Sequence, residues 1–112
     1  MIARIWRGVT DASRADEYMG YLEETGLREY RKTPGNRGVL VLRRREGGTA
    51  EFLLLTLWES WNAIRAFAGA EVSKAVYYPR DAEFLREMEP EVRHYEVTVR
   101  APEDLSSLFV NP

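Results

Sequence analysis

The single histidine of this 112-residue chain, His94, is the first residue that could carry chemistry. An imidazole with an ordinary pKa near 6.5 can act as a general base at neutral pH. Glu96 follows two residues later on the same face of a predicted strand, where it could orient the ring. The alternative is a surface or interface histidine without a catalytic role, and the sequence leaves both interpretations open.

Two adjacent phenols, Tyr77 and Tyr78, directly precede Pro79. A phenol can donate a hydrogen bond to an enolate or quinol oxygen while its ring stacks on an aromatic substrate. We therefore take His94, Tyr77 and Tyr78 as the candidate catalytic residues. Ordinary packing with the hydroxyls at the surface is the alternative for each tyrosine.

Candidate substrate-binding residues come from two other places. Trp58 and Trp61 lie where a predicted strand passes into a helix, and core packing is the alternative for both. Arg4 and Trp6 share one face of the first predicted strand, which would line either a pocket or a dimer interface.

Several function classes are excluded by composition. The chain has no cysteine, so disulfides, thiolate metal sites and cysteine nucleophiles are absent. One histidine without HxH or HExxH spacing predicts no metal site, and no nucleophile elbow supports a serine triad. The 16 basic and 18 acidic residues give a net charge of −2, which argues against nucleic-acid binding. Early charges in MIARIWRG argue against a signal peptide, so we expect a soluble cytoplasmic protein with no membrane contact.

The apolar run at residues 52–58 is the centre of the predicted fold. It is too short to span a membrane, which needs about 20 apolar residues. It reads as a strand between a turn at residues 46–49 and a helix start at Ser60. Both of its faces are apolar, so both sides of the sheet need a cover. Helices can cover one side, and we expect a second copy of the chain to cover the other. A monomer covered by its own tail and loops is the alternative.

The remaining patterns predict eight elements in one domain. In order, they are a strand at 2–9, a helix at 13–32 capped by Ser13 and Asp16, strands at 39–45 and 50–59, a helix at 61–68, a helical turn at 71–78, a helical segment at 82–88 and a strand at 92–100. This order predicts an α+β, ferredoxin-like βαββαβ antiparallel sheet with helices on one face. Residues 101–112 form a tail that is too apolar to be free, so we expect it to dock on the body or on a partner subunit.

Residues 1–100 also carry a family resemblance. The segments that carry it are Leu57-Trp58-Glu59-Ser60, Phe67-Ala68-Gly69, Ala75-Val76-Tyr77-Tyr78-Pro79, Phe84-Leu85 and Val92-Arg93-His94-Tyr95-Glu96-Val97. Together they resemble the antibiotic biosynthesis monooxygenase (ABM) superfamily of dimeric α+β barrels. The resemblance implies a homodimer, a pocket between sheet and helices, and a small aromatic or quinol-type substrate. It also implies that no flavin or metal cofactor is needed.

A heme-degrading branch of that superfamily uses an Asn on the first strand, a Trp near the second helix and a His on that helix. Trp58 or Trp61 could stand at the Trp position. The first strand has no Asn, and residues 63–78 contain no His. The resemblance therefore does not extend to heme degradation.

Three functional hypotheses follow. The first is a cofactor-independent monooxygenase in which His94, or a water held by it, deprotonates a quinol-type substrate, and Tyr77, Tyr78 or Arg4 stabilises the resulting charge. The second is a non-catalytic dimer that binds a small aromatic or stress metabolite. The third is a structural dimer. They predict, respectively, an apolar cavity with a base, a cavity without one, and a filled core.

Overall fold

The computed structural model describes residues 1–102 of the chain. Its strands are β1 Ile2–Asp11, β2 Asn36–Glu46, β3 Thr49–Trp58, β4 Leu85–Met88 and β5 Arg93–Glu96. Its helices are α1 Ala15–Glu24, α2 Gly26–Lys32, α3 Trp61–Ala68 and α4 Asp81–Phe84, and a 3₁₀ turn, Ala12–Arg14, joins β1 to α1.

These strands form one antiparallel sheet in the order β2-β3-β1, and both β4 and β5 pair with the outer edge of β1. The predicted α+β, ferredoxin-like sheet is confirmed. The hairpin predicted at residues 46–49 is also present, because Glu46 pairs with Thr49 and Gly47 adopts a φ of 59°. A side chain at Gly47 would be strained in that left-handed conformation.

Strand alternation separates the two faces of the sheet. In β1 and β3, the residues Arg4, Trp6, Phe52, Thr56 and Trp58 are buried beneath the helices. Their neighbours Ile5, Leu53 and Leu55 point to the opposite face and are only half-buried. We call that second surface the open face. It also carries Leu40 and Leu42 from β2, paired across the strands with Leu55 and Leu53.

The long helix predicted at 13–32 is interrupted. Thr25 has φ −117° and ψ −96°, which separates α1 from α2, and its hydroxyl donates to the Tyr21 carbonyl. The predicted cap by Ser13 and Asp16 is wrong, because α1 begins after Arg14 without a side-chain cap. The predicted cap of α3 by Ser60 is confirmed by its bond from the Ala63 N–H, 3.1 Å long.

The predicted helical segment at 82–88 is wrong beyond Phe84. Leu85–Met88 is strand β4, with Leu85 opposite Thr10 and Met88 opposite Gly8. The edge of β1 offers backbone hydrogen bonds there, and tertiary pairing overrides the local helical pattern.

Two further predictions need correction. Residues 71–78 were predicted as a helical turn, but they form no helix: the Lys74 N–H bonds to Glu71 O in a short turn, and Lys74 then bridges to Glu91. The last strand is Arg93–Glu96 rather than 92–100. The tail prediction falls at 103–112, outside the described residues, and stays a prediction. No helix within residues 1–102 is long and apolar enough to cross a membrane.

Candidate functional site

A small cavity, not fully enclosed, lies between the covered face of the sheet, the helices and the segment before α4. Its lining residues are Trp6, Tyr18, Leu22, Gly26, Tyr30, Leu54, Phe67, Val76, Tyr78 and Asp81. Half of them are aromatic. The cavity volume is about 20 Å³, which is enough space for roughly one water molecule.

Asp81 is the charged residue of this lining and is only 3% exposed. Its Oδ1 accepts a hydrogen bond from the Tyr18 hydroxyl at 2.8 Å, and its Oδ2 accepts from the Tyr78 backbone N–H at 2.6 Å. No cationic nitrogen lies within 4.0 Å of this carboxylate in the described part of the chain. Asp81 is the first residue of α4, but its carboxylate does not cap that helix and instead accepts from the backbone three positions earlier.

The tyrosines around Asp81 are held in their protonated form. Burial raises the pKa of Tyr18, and the negative charge of Asp81 raises it further. Burial also raises the pKa of Tyr78 to about 12, with smaller contributions from Glu29 and Asp81. At neutral pH these phenols are therefore hydrogen-bond donors, not bases.

A second polar group lies deeper along β1, where Arg4 is 2% exposed. Its Nη1 donates to the Val72 carbonyl at 2.6 Å, and its Nη2 donates to the Lys74 carbonyl at 3.0 Å. The guanidinium carbon is 5.8 Å from the centre of the Phe67 ring, which also lines the cavity. Within residues 1–102 no carboxylate lies within 4.0 Å of Arg4, so neutral groups surround a buried cation.

His94 belongs to this second polar group and contacts Arg4 directly. Its Nε2 lies 3.1 Å from Arg4 Nη1, and because a guanidinium can only donate, Nε2 must be the acceptor. Burial lowers the pKa of His94, and the charge of Arg4 lowers it further. The neutral ring packs edge-on against Trp61, with centroids 5.0 Å apart. His94 and Trp61 do not belong to the cavity lining, and Trp61 is 42% exposed.

Tyr77 lies next to the cavity rather than in its lining. Its hydroxyl donates to the Glu89 carbonyl, and its ring meets Trp6 edge-on with centroids 6.1 Å apart. Burial raises the pKa of Tyr77, Asp81 and Glu89 add to the rise, and the nearby Trp6 indole opposes it. The indole nitrogen of Trp6 is buried without a hydrogen-bond partner of good geometry in the described residues.

Trp58 is a core residue. It is fully buried, its indole N–H donates to Thr56 Oγ1 at 2.8 Å, and its ring packs against Tyr30 and Phe67. Of the residues predicted for the site, the structure thus places Trp6 and Tyr78 in the cavity wall, with Tyr77 beside it. Arg4, His94 and Trp61 form a separate cluster beyond Phe67.

Several lining residues were not predicted as site residues. They include Tyr18, Tyr30, Phe67 and Asp81. The pattern around Asp81 is that of an ordinary helix start, so no local signal distinguishes a carboxylate that faces a cavity.

The chain is a small α+β protein with a ferredoxin-like sheet and an aromatic pocket under its helices. Solved structures share the fold. One is a putative antibiotic biosynthesis monooxygenase from Bacillus cereus, 16% identical over 88% of this chain and 94% of that chain, with a TM-score of 0.60. Another is a conserved protein from Methanosarcina mazei, 19% identical over 84% and 89%, with a TM-score of 0.61.

A third is the heme-degrader MhuD from Mycobacterium tuberculosis, solved with two hemes in its active site. It is 20% identical over 89% of this chain and 98% of that chain, with a TM-score of 0.58. No protein-family model matches the sequence, and no curated protein is significantly similar to it. The ABM resemblance is therefore confirmed at the level of the fold, and identities of this size say nothing about activity.

Proposed function

We propose that this chain binds a small aromatic or quinol-type molecule between its sheet and helices and oxygenates it without a resident cofactor. The observation that carries the proposal is a cavity walled by five aromatic rings that also contains a buried carboxylate. An apolar site with a few convergent polar groups is the usual form of a small-molecule site. The same fold in a monooxygenase-like protein and in MhuD is consistent with it.

The chemistry needs only the substrate and oxygen. A quinol-type or anthrone-type compound loses a proton, and its electron-rich anion attacks O₂. For an anthrone, the methylene carbon becomes a carbonyl, one oxygen atom enters the product and the other leaves as water. The substrate supplies all four electrons, so the reaction balances without flavin or metal.

The protein supplies electrostatics and water exclusion. The Arg4 cation lies behind Phe67, where its field favours an anion in the cavity over the neutral substrate. The Tyr78 ring lines the same cavity, with a hydroxyl that stays protonated at neutral pH. Aromatic walls keep water from the reactive anion.

Ligand entry requires the cavity to expand. A cavity of about 150 Å³ binds benzene, whereas the space here is about 20 Å³. One of its walls is a candidate to move: α2, which is separated from α1 by the break at Thr25. We propose that α2 moves away from the sheet when a ligand binds.

Oxygen uptake tests the oxygenase proposal. Metal- and flavin-free protein is mixed with anthrones, quinols and hydroxynaphthalenes, and uptake above autoxidation should scale with protein concentration. Tyr78→Phe should slow uptake, whereas Trp61→Phe, outside the cavity, should leave it near the wild-type rate. The proposal fails if no compound gives protein-dependent uptake.

A non-catalytic binding protein is the second candidate, and the state of His94 favours it. The lone pair of Nε2 already accepts from Arg4, so this atom is not available as a base. The same contact leaves the chain's single histidine poorly placed to ligate heme iron, so heme degradation is not proposed. Quenching of tryptophan fluorescence by these compounds, with no oxygen uptake, would establish the binding function.

We also propose that the protein is a homodimer joined through the open face. Leu40, Leu42, Leu53 and Leu55 form an apolar patch there, and no helix in residues 1–102 covers it. Contiguous apolar patches of this kind usually mark an interface. Leu55→Asp should convert a dimer to a monomer in sedimentation equilibrium, and Arg28→Glu, at an exposed position of α2, should not. A wild-type monomer at micromolar concentration would contradict the proposal.

A further inference from the structure

We propose that Asp81 recognises a free hydroxyl group on the ligand and accepts its proton. The ligand class is then a planar aromatic with an unsubstituted hydroxyl at the edge that meets Asp81. The proton-transfer step rests on the proposed oxygenase function, whereas the recognition of the hydroxyl does not.

The hydrogen bonding of Asp81 is incomplete. A carboxylate offers about four acceptor positions, and two are filled, one by the Tyr18 hydroxyl and one by the Tyr78 N–H. A buried charge normally has an ionic partner or a full set of hydrogen bonds. In the described chain Asp81 has only those two neutral donors, and it forms part of the cavity wall. A donor arriving in the cavity would complete its hydrogen bonding.

The nearest arginine in sequence is directed elsewhere. Arg80 pairs with Glu83 at 3.1 Å and lies over the rings of Tyr21 and Phe84. Its backbone N–H is also bound, to the Tyr21 hydroxyl at 2.8 Å. These contacts keep a cation away from Asp81 and leave its carboxylate free for a ligand.

The carboxylate is also held in a fixed orientation. The Tyr18 ring is wedged between Phe52 and Phe84, with centroids 5.3 Å away in each case. Its hydroxyl therefore fixes Oδ1, while the backbone of Tyr78 fixes Oδ2. A fixed acceptor loses little entropy when a ligand binds, which favours both recognition and proton transfer.

The proton-transfer step balances. The ligand O–H bond breaks, its electron pair stays on the aryl oxygen, and a new O–H bond forms on Asp81. The single negative charge moves from Asp81 to the ligand, so the net charge of the cavity is unchanged. Asp81 returns the proton to the outer peroxide oxygen when the O–O bond breaks, and the second hydrogen of the departing water comes from the C–H bond that breaks as the new carbonyl forms.

Paired ligands test the recognition without any turnover. The fluorescence of wild-type protein is titrated with 1-naphthol and with 1-methoxynaphthalene, which lacks the donor. A hydrogen bond to a buried charge predicts about tenfold or greater preference for the naphthol. Asp81→Asn should reduce the preference to about twofold or less, and Glu24→Gln, at an exposed position of α1, should retain it. Equal wild-type affinities, or a preference that survives in Asp81→Asn, would overturn the proposal.

A second arm tests proton transfer and separates the two proposals. With a compound that the wild-type protein oxygenates, Asp81→Ala should lower the rate of oxygen uptake at least tenfold. Added formate, which can enter the cavity as a replacement base, should restore part of that rate. Loss without formate rescue overturns the base role. If no compound consumes oxygen in wild type, the oxygenase function fails, and the naphthol preference still decides whether Asp81 recognises the hydroxyl.

Discussion

The two faces of strand β1 differ in the partners that they give to an arginine. On the covered face, the buried Arg4 has only carbonyls, an imidazole and an aromatic ring as partners. On the open face, Arg7 is about one-third exposed and pairs with carboxylates of Glu51 at 2.6 Å and Glu89 at 3.3 Å.

This difference distinguishes a face suited to binding a ligand from a face suited to binding another protein surface. Pairs such as Arg7–Glu51 neutralise each other and contribute about 1 kcal/mol or less at a half-exposed position. A buried cation or carboxylate without an ionic partner is costly, and such groups concentrate where a protein binds or transforms a ligand. The covered face therefore holds the candidate site, and the open face is suited to association.

Truncation of two adjacent residues of β3, one on each face, should give the largest difference in the free energy of unfolding. Phe52, fully buried on the covered face, packs edge-on against Tyr18, so Phe52→Ala should lower the free energy of unfolding by about 3–5 kcal/mol. Leu53→Ala, one residue later on the open face, should cost about 1 kcal/mol in the monomer, since its side chain is only half-buried there. Urea denaturation at two protein concentrations measures both. Equal and concentration-independent losses would contradict the assignment of the two faces.

Close packing should be confined to the covered face. Substitutions at two glycines, one closely packed and one in open space, test this expectation. A Cβ at Gly8 would overlap the Trp6 ring and lie 3.0 Å from Leu85. Gly8→Ala should therefore cost about 1–3 kcal/mol and shift the tryptophan emission. Gly48→Ala is the control, because a Cβ there meets nothing within 4 Å. A Gly8→Ala variant as stable as Gly48→Ala would show that the Trp6 ring has room to move.

The smallest expected effect is a pH dependence from the Arg4–His94 contact. Burial and Arg4 lower the pKa of His94, so below about pH 6.5 the unfolded chain binds a proton more readily than the folded chain. The contribution of His94 to the free energy of unfolding should be fully present above that pH and should decrease as the pH falls below it.

His94→Gln keeps an acceptor for Arg4 but cannot titrate. The difference in unfolding free energy between wild type and this variant, followed from pH 7.5 to 5.5, isolates the histidine from other groups. A difference that is independent of pH would mean that the imidazole is as easily protonated in the folded chain as in the unfolded one.

Local patterns predicted much of this fold. The apolar run at 52–58, the glycine turn at Gly47 and the Ser60 cap were each confirmed, because each depends on residues that are adjacent in sequence. The predictions that failed depend on distant partners. Residues 85–88 became a strand because the edge of β1 was available, and residues 71–78 are held by contacts with Arg4 and Glu91.

The sequence by itself determined the alternation of β1 and β3, and with it which side chains share a face. It placed Arg4 beside Trp6 on one face of a strand and predicted two apolar sheet surfaces. Only the tertiary structure decided which polar groups meet. The contact between Arg4 and His94 spans 90 positions, and that between Tyr18 and Asp81 spans 63. Strand pairing and helix packing fix such contacts, since the local sequence around Asp81 has the same form whether its carboxylate caps a helix or faces a cavity.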